Sequence, residues 1–218
     1  MKKTPAINEL LQVMAKLRSP QGCPWDREQD HQTLRRHAVE EVYELIDAIE
    51  AGDDHEMAEE LGDLLLQVVF HCQLASERGA FDFERVTRLI VEKLIRRHPH
   101  VFGDTKVKNV DEVWANWERI KKAEKAGTKH ERVSALDGIP RHLPALARAE
   151  KLVKKARKAK LLPATVPTRR VTKPALAREL FALAELAQAK GWSAEEMLAG
   201  EVKKREQQLR RLEAKGDK

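Results

Sequence analysis

Apolar residues recur at helical spacing through most of the chain. Ile7, Leu10, Leu11, Met14 and Leu17 mark a first helix, which must stop before the turn-forming stretch Ser19-Pro20-Gln21-Gly22. From Thr33 to Glu50 the set Leu34, Ala38, Val42, Leu45, Ile46 and Ile49 makes one stripe, and Gly52 closes that helix. Between His55 and Arg78 the run Leu64-Leu65-Leu66-Gln67-Val68-Val69-Phe70 is apolar nearly all round, which predicts a helix surrounded by others and ended by Gly79. A fourth helix begins after the N-cap residue Asp82, carries Val86, Leu89, Ile90 and Leu94 inward, and ends at His98-Pro99. Four such helices make a bundle module.

Val110 to Lys125 reads as a further helix around Trp114 and Trp117, and the polar stretch from Ala126 to Ile139 has no periodicity. The module boundary is placed there, giving a first module over 1–126 and a second over 127–218. The second module holds a helix from about Leu143 to Lys160, a linker with Pro163, Pro167 and Pro174, and two helices near 175–190 and 194–214. The expected fold is all-α.

Composition sharpens this picture. Aromatic residues make up 5% and charged residues 35% of the 218, a balance that suits amphipathic helices. The net charge of +6 is uneven, because Arg141 to Lys218 holds 20 basic and 9 acidic residues. That basic second half reads as a solvated surface, so nucleic acid is not the expected partner. Cys23 and Cys72 are too few for a disulfide framework, and no apolar run approaches the ~18 residues of a membrane span. The expectation is a soluble cytoplasmic protein.

The chemistry lies in paired carboxylates. Helix two contains Glu40-Glu41-Val42-Tyr43-Glu44 and helix three contains Glu59-Glu60-Leu61-Gly62-Asp63. Glu41 and Glu44 share one edge of their helix, as do Glu60 and Asp63, and Gly62 is expected to let a neighbouring backbone approach. Solvated acids would have Lys or Arg at i+4, but positions 45, 48, 64 and 67 are Leu45, Ala48, Leu64 and Gln67. Carboxylates converging beside a core repel one another and call for a cation; hard oxygen donors without His or Cys suit Mg²⁺ or Mn²⁺. Lys93, Arg96 and Arg97 end the fourth helix with opposite charge, which together with a metal is what a polyphosphate requires. In the loop Gly22-Cys23-Pro24-Trp25-Asp26, Trp25 either stacks on a base or covers the end of the bundle.

These segments, with Glu60-Leu61-Gly62-Asp63-Leu64-Leu65-Leu66-Gln67-Val68-Val69-Phe70 and Arg96-Arg97-His98-Pro99-His100-Val101-Phe102, resemble the MazG family of all-α nucleoside triphosphate pyrophosphohydrolases. The resemblance implies a four-helix-bundle module whose magnesium ligands are Glu41, Glu44, Glu60 and Asp63, supported by Glu40. Lys93, Arg96 and Arg97 would hold phosphates. Members split nucleoside triphosphates, canonical or damaged, into monophosphate and pyrophosphate and assemble as homodimers, so a dimer or higher homo-oligomer is expected. Glu40 or Glu41 is the expected proton acceptor, since a base must sit close to the metal without being fully occupied by it.

In two-module members the second half repeats the constellation, and here the repeat is degenerate. Ala175 and Arg178 stand where Glu and Asp would, the stretch from Leu162 to Pro174 contains no acid, and Gln207 and Gln208 replace the phosphate-holding arginines beside Lys204. Packing or dimerisation is the expected role of that half. The reading from another class is a non-catalytic helical nucleotide sensor or RNA-binding adaptor with the basic half as its surface.

Overall fold

The computed structural model describes residues 5–129, 131–163 and 170–216; part of the expected linker, Pro167 included, lies outside the described residues. Among the described residues there are ten helices and no strand, so the fold is all-α as the periodicity predicts, with two short helices, at Pro24–Glu28 and Pro99–Phe102, beyond the eight read from the sequence. The chain divides into two compact units, Met1–Trp114 and Ala115–Lys218, ahead of the 126/127 boundary read from the sequence.

The first unit is built from α1 (Ala6–Leu17), α2 (Pro24–Glu28), α3 (Arg35–Ala51), α4 (Asp54–Glu77), α5 (Phe83–Arg97) and α6 (Pro99–Phe102). The division falls within α7 (Val110–Ala123). Between α1 and α3 the sequence predicts only a rigid turn, but Pro24 at the start of a helical turn presets its φ and opens the short α2. A Cβ on Gly22 would overlap the carbonyl oxygens of Lys16 and Leu17, and the Cys23 amide donates to Leu17 O at 2.8 Å. Only glycine lets this turn close over the end of α1.

Gly52, in the left-handed region at φ 69°, ends α3, and Asp53 starts α4 by accepting from the His55 and Glu56 amides. The tight connection sets α3 and α4 side by side along their lengths, with α1 against α4. Met14, Leu34, Val69, Phe70 and Leu74 form the core, with Phe83 of α5 packed on it. Burial on α4 is concentrated from Gln67 onward, which leaves its first half for the site.

Three expectations need correction. Leu61, Leu65 and Val68 of α4 are 38–49% exposed, so α4 is not surrounded by other helices of the chain among the described residues. Leu89, Ile90 and Leu94 are 40–47% exposed rather than inward. The cause is the small number of neighbours: α4 packs mainly on α3 and α1, and no residue of α5 is buried, Phe83 being only half-buried against the core. Likewise, nothing approaches within 4 Å of a Cβ placed on Gly62, so the close backbone expected there is absent among the described residues.

In the second unit α8 (Ala145–Lys158) packs on α10 (Ala194–Gly216), and α10 also contacts α9 (Lys173–Ala189). Its core is Leu136, Leu152, Ala156, Val202 and Leu209. No helix among the described residues is long and apolar enough to cross a membrane.

Candidate metal and phosphate site

Neighbouring α3 and α4 bring the two acidic pairs together. Glu41, Glu60 and Asp63, all half-buried, each offer a carboxylate oxygen, and these oxygens lie within 4.8 Å of one another. Such an oxygen cage could hold a hard divalent ion. Glu44, one turn beyond Glu41 on α3, is exposed and joins the group electrostatically, Glu41 being among the neighbours that disfavour its ionisation.

The charges in this group are uncompensated. None of the ion pairs among the described residues involves Glu41, Glu44, Glu60 or Asp63. Desolvation, then repulsion from Glu41, Glu40 and Asp63, holds the Glu44 carboxyl above the ordinary glutamate range. Desolvation, then repulsion from Glu44, Asp63, Glu41 and Glu56, does the same to Glu60. A cation would remove the repulsion that raises both.

The other predicted residues are more scattered. Glu40 is exposed, its carboxylate 3.7 Å from Nδ1 of His37 on its own helix. Trp25 lies on α2, 53% exposed, and meets the His37 ring edge-on at 5.9 Å between centroids. Lys93, Arg96 and Arg97 occupy the last turns of α5, where His98 donates from Nδ1 to the Leu94 carbonyl at 2.7 Å. No hydrogen bond or ion pair joins Trp25 or Lys93 to the acidic group among the described residues.

Three features escape sequence reasoning. Gln67, 7% exposed, donates from Nε2 to Glu41 Oε1 at 3.1 Å. Its signal was available: it stands one turn after Asp63 and two after Glu60, on the same face. His31 and His71 stack with their Nδ1 atoms 2.9 Å apart, and burial holds the His71 imidazole below its ordinary range, helped by His31. Arg18 ties the end of α1 to Glu77 and to the carbonyls of Asp26 and Gln29, a link between residues too distant in sequence for any local pattern to show.

Residues 29–102 match the MazG nucleotide pyrophosphohydrolase domain. The nucleoside triphosphate pyrophosphohydrolase of Escherichia coli is 51% identical over 150 residues, which are 68% of this chain and 56% of that protein. The nucleoside triphosphate pyrophosphohydrolase/pyrophosphatase MazG of Thermotoga maritima is 50% identical over 150 residues, 69% of this chain and 56% of that protein. A crystal structure of a mazG-related protein from Thermotoga maritima superposes with a TM-score of 0.46 at 28% identity, covering 53% of this chain and 98% of that one. The chain thus spans little more than half the length of these two pyrophosphohydrolases. The matched segment contains all four clustered acids, so the part of this chain that is similar to the MazG nucleotide pyrophosphohydrolase domain is the part that carries the candidate site.

Proposed function

We propose that the chain hydrolyses nucleoside triphosphates, canonical or damaged, to nucleoside monophosphate and pyrophosphate, with Mg²⁺ held by Glu41, Glu44, Glu60 and Asp63. The observation that carries this reading is the convergence of Glu41, Glu60 and Asp63 without a cationic partner, inside the matched domain. The donor set fits the ion: carboxylate oxygens only, partly open to water, with two of the acids reluctant to ionise unaided. When bound, Mg²⁺ supplies Lewis-acid polarisation of phosphate oxygens and a readily deprotonated water, and Mn²⁺ can substitute.

The protein's own groups do the rest. Glu41 and Glu44 from α3 and Glu60 and Asp63 from α4 fix the cation between two helices. Glu40 or Glu41 takes the proton of the attacking water, because both lie on the α3 edge of the group. Lys93, Arg96 and Arg97 grip phosphate oxygens, the arginines in bidentate fashion, and Trp25 offers its open face to the base. Support for this division of labour comes from the opposite charge of the α3–α4 group and the end of α5.

Catalysis is assigned to the module over 1–126, and packing or dimerisation to 127–218. The apolar stripes on α3, α4 and α5 favour a homodimer or higher oligomer, since in one protomer they would stand in water. Free Cys23 and Cys72 suit a reducing cytoplasm.

The test is to incubate the full chain with a panel of nucleoside triphosphates and Mg²⁺ and resolve the products by anion-exchange chromatography. Monophosphate and pyrophosphate are expected, and Asp63→Asn should abolish them while the helical circular dichroism stays unchanged. Accumulation of diphosphate and orthophosphate would refute the cleavage position; tight binding without turnover would make the protein a sensor.

A further inference from the structure

Gln67 lies at a core position, next to Leu66, Val68, Val69 and Phe70 in sequence, where an apolar side chain would be expected. Its amide makes one hydrogen bond, from Nε2 to Glu41 Oε1 at 3.1 Å, and its Oε1 is buried with no donor. A carboxylate only accepts, so the orientation of the amide is dictated: nitrogen toward Glu41, oxygen into the protein. A buried amide satisfied at one end is less favourable than a thioether or an alkyl chain of similar volume. Packing therefore does not account for Gln67, and the contact with Glu41 remains as its explanation.

That contact has a consequence for the acidic group. Glu41 stands on α3, facing Glu60 and Asp63 on α4, and mutual repulsion would swing its carboxylate toward water. Gln67 reaches across from α4, one turn beyond Asp63, and ties down one oxygen of Glu41, leaving Oε2 for a cation. A lysine or arginine there would also orient Glu41, but its charge would compete with the metal. A neutral N–H donor orients without competing. We infer that Gln67 is a positioning residue that holds Glu41 in the geometry the divalent cation requires, an inference that rests on the metal-site reading above.

The experiment measures Mn²⁺ binding to the full chain by electron paramagnetic resonance, with thermal melting of the metal-free protein alongside. Gln67→Met should weaken Mn²⁺ binding about tenfold or more, the usual scale for losing a group that orients a metal ligand. The metal-free melting temperature should hold or rise, because a half-satisfied buried amide has been removed. Gln67→Asn keeps an amide but withdraws it from Glu41 and should weaken binding similarly, which covers the case in which the methionine variant folds poorly. In a Glu41→Ala background Gln67→Met should cause no further loss, since the amide acts through Glu41.

Asp63→Asn separates this inference from the reading beneath it. If Asp63→Asn weakens Mn²⁺ binding and both Gln67 variants bind as the wild type does, the positioning role is wrong and the metal site stands. If Asp63→Asn leaves binding unchanged, both fall. A Gln67→Met protein that melts well below the wild type and binds Mn²⁺ normally would show a merely structural amide.

Discussion

Arg18 is the residue whose loss should cost the first unit most for a single side chain near the surface. Its guanidinium forks onto Glu77, Nε to Oε1 at 2.6 Å and Nη2 to Oε2 at 2.7 Å, while Nη1 donates to the carbonyls of Asp26 and, at 3.2 Å, Gln29. It also sits 5.6 Å from the Phe70 ring centroid. The two ends of this network differ in weight. Glu77 is 36% exposed, so water replaces most of what it loses, and Glu77→Gln should cost no more than about 1 kcal/mol. The Arg18 side chain is 9% exposed, and the carbonyls at the end of α2 have it as a charged donor. Arg18→Met removes the fork and those bonds together, roughly 2–4 kcal/mol on the scale of hydrogen bonds to charged groups. Urea titration followed by far-ultraviolet circular dichroism measures both. The hydrogen bond from Arg18 is also the largest cause holding the Glu77 carboxyl below its ordinary range. That contribution is full above the ordinary glutamate pKa and is lost as pH falls through the depressed one, so the wild-type advantage over Arg18→Met should shrink on acidification. Equal costs for the two substitutions, or an Arg18→Met cost below about 1 kcal/mol, would refute the reasoning.

Two further outcomes follow from the same electrostatics. Ionised Glu60 costs stability wherever pH exceeds its raised folded pKa, so metal-free Glu60→Gln should melt above the wild type at about pH 8, the gap closing as pH falls through that value; a gap that widens on acidification would reverse the assignment. In the full chain, Glu41→Gln combined with Asp63→Asn should reduce pyrophosphate release to background, and any residual turnover would place catalysis in 127–218.

Much of the site was legible because helical registry is a local property. Glu41 with Glu44, and Glu60 with Asp63, are fixed on shared faces by spacing alone, and Gly52 and Asp53 mark the hairpin that sets the two helices together. The caps behave likewise: Asp82 accepts from the Arg85 amide where the pattern placed the start of a helix. What escaped was set by tertiary context. The five residues of α2 are too few to show a period. Leu65 and Val68 read as buried because hydropathy reports that a face wants cover, not that the chain's own helices supply it. Gln67 counts in the sequence merely as an uncharged position one turn after Asp63, and only the position of Glu41 across the helix pair gives it a partner.

The same residue types meet opposite fates in the two units, and this bears on which half does chemistry. In the second unit the acids are answered from within: Glu206 pairs with Arg148 and Arg210 at 2.7 and 2.8 Å, and Asp137 with Arg210 at 2.8 Å. Glu213 accepts from the Ala135 amide and Glu195 from the Ala145 amide. Burial works against ionisation of Asp137, yet the hydrogen bonds from Arg210 and the Ser134 amide outweigh it and hold the carboxyl below its ordinary range. Those acids already have partners, so a metal arriving there would have to break existing ion pairs and hydrogen bonds. In the first unit Glu44 and Glu60 are held above their ordinary range, no arginine or lysine reaches the group among the described residues, and the one donor contributed by Gln67 carries no charge. A fold whose purpose was only to pack could have answered these acids with cations, as the second unit does. Leaving them unanswered costs stability that a bound divalent cation would return, and that cost is the physical argument for placing the proposed metal site between α3 and α4.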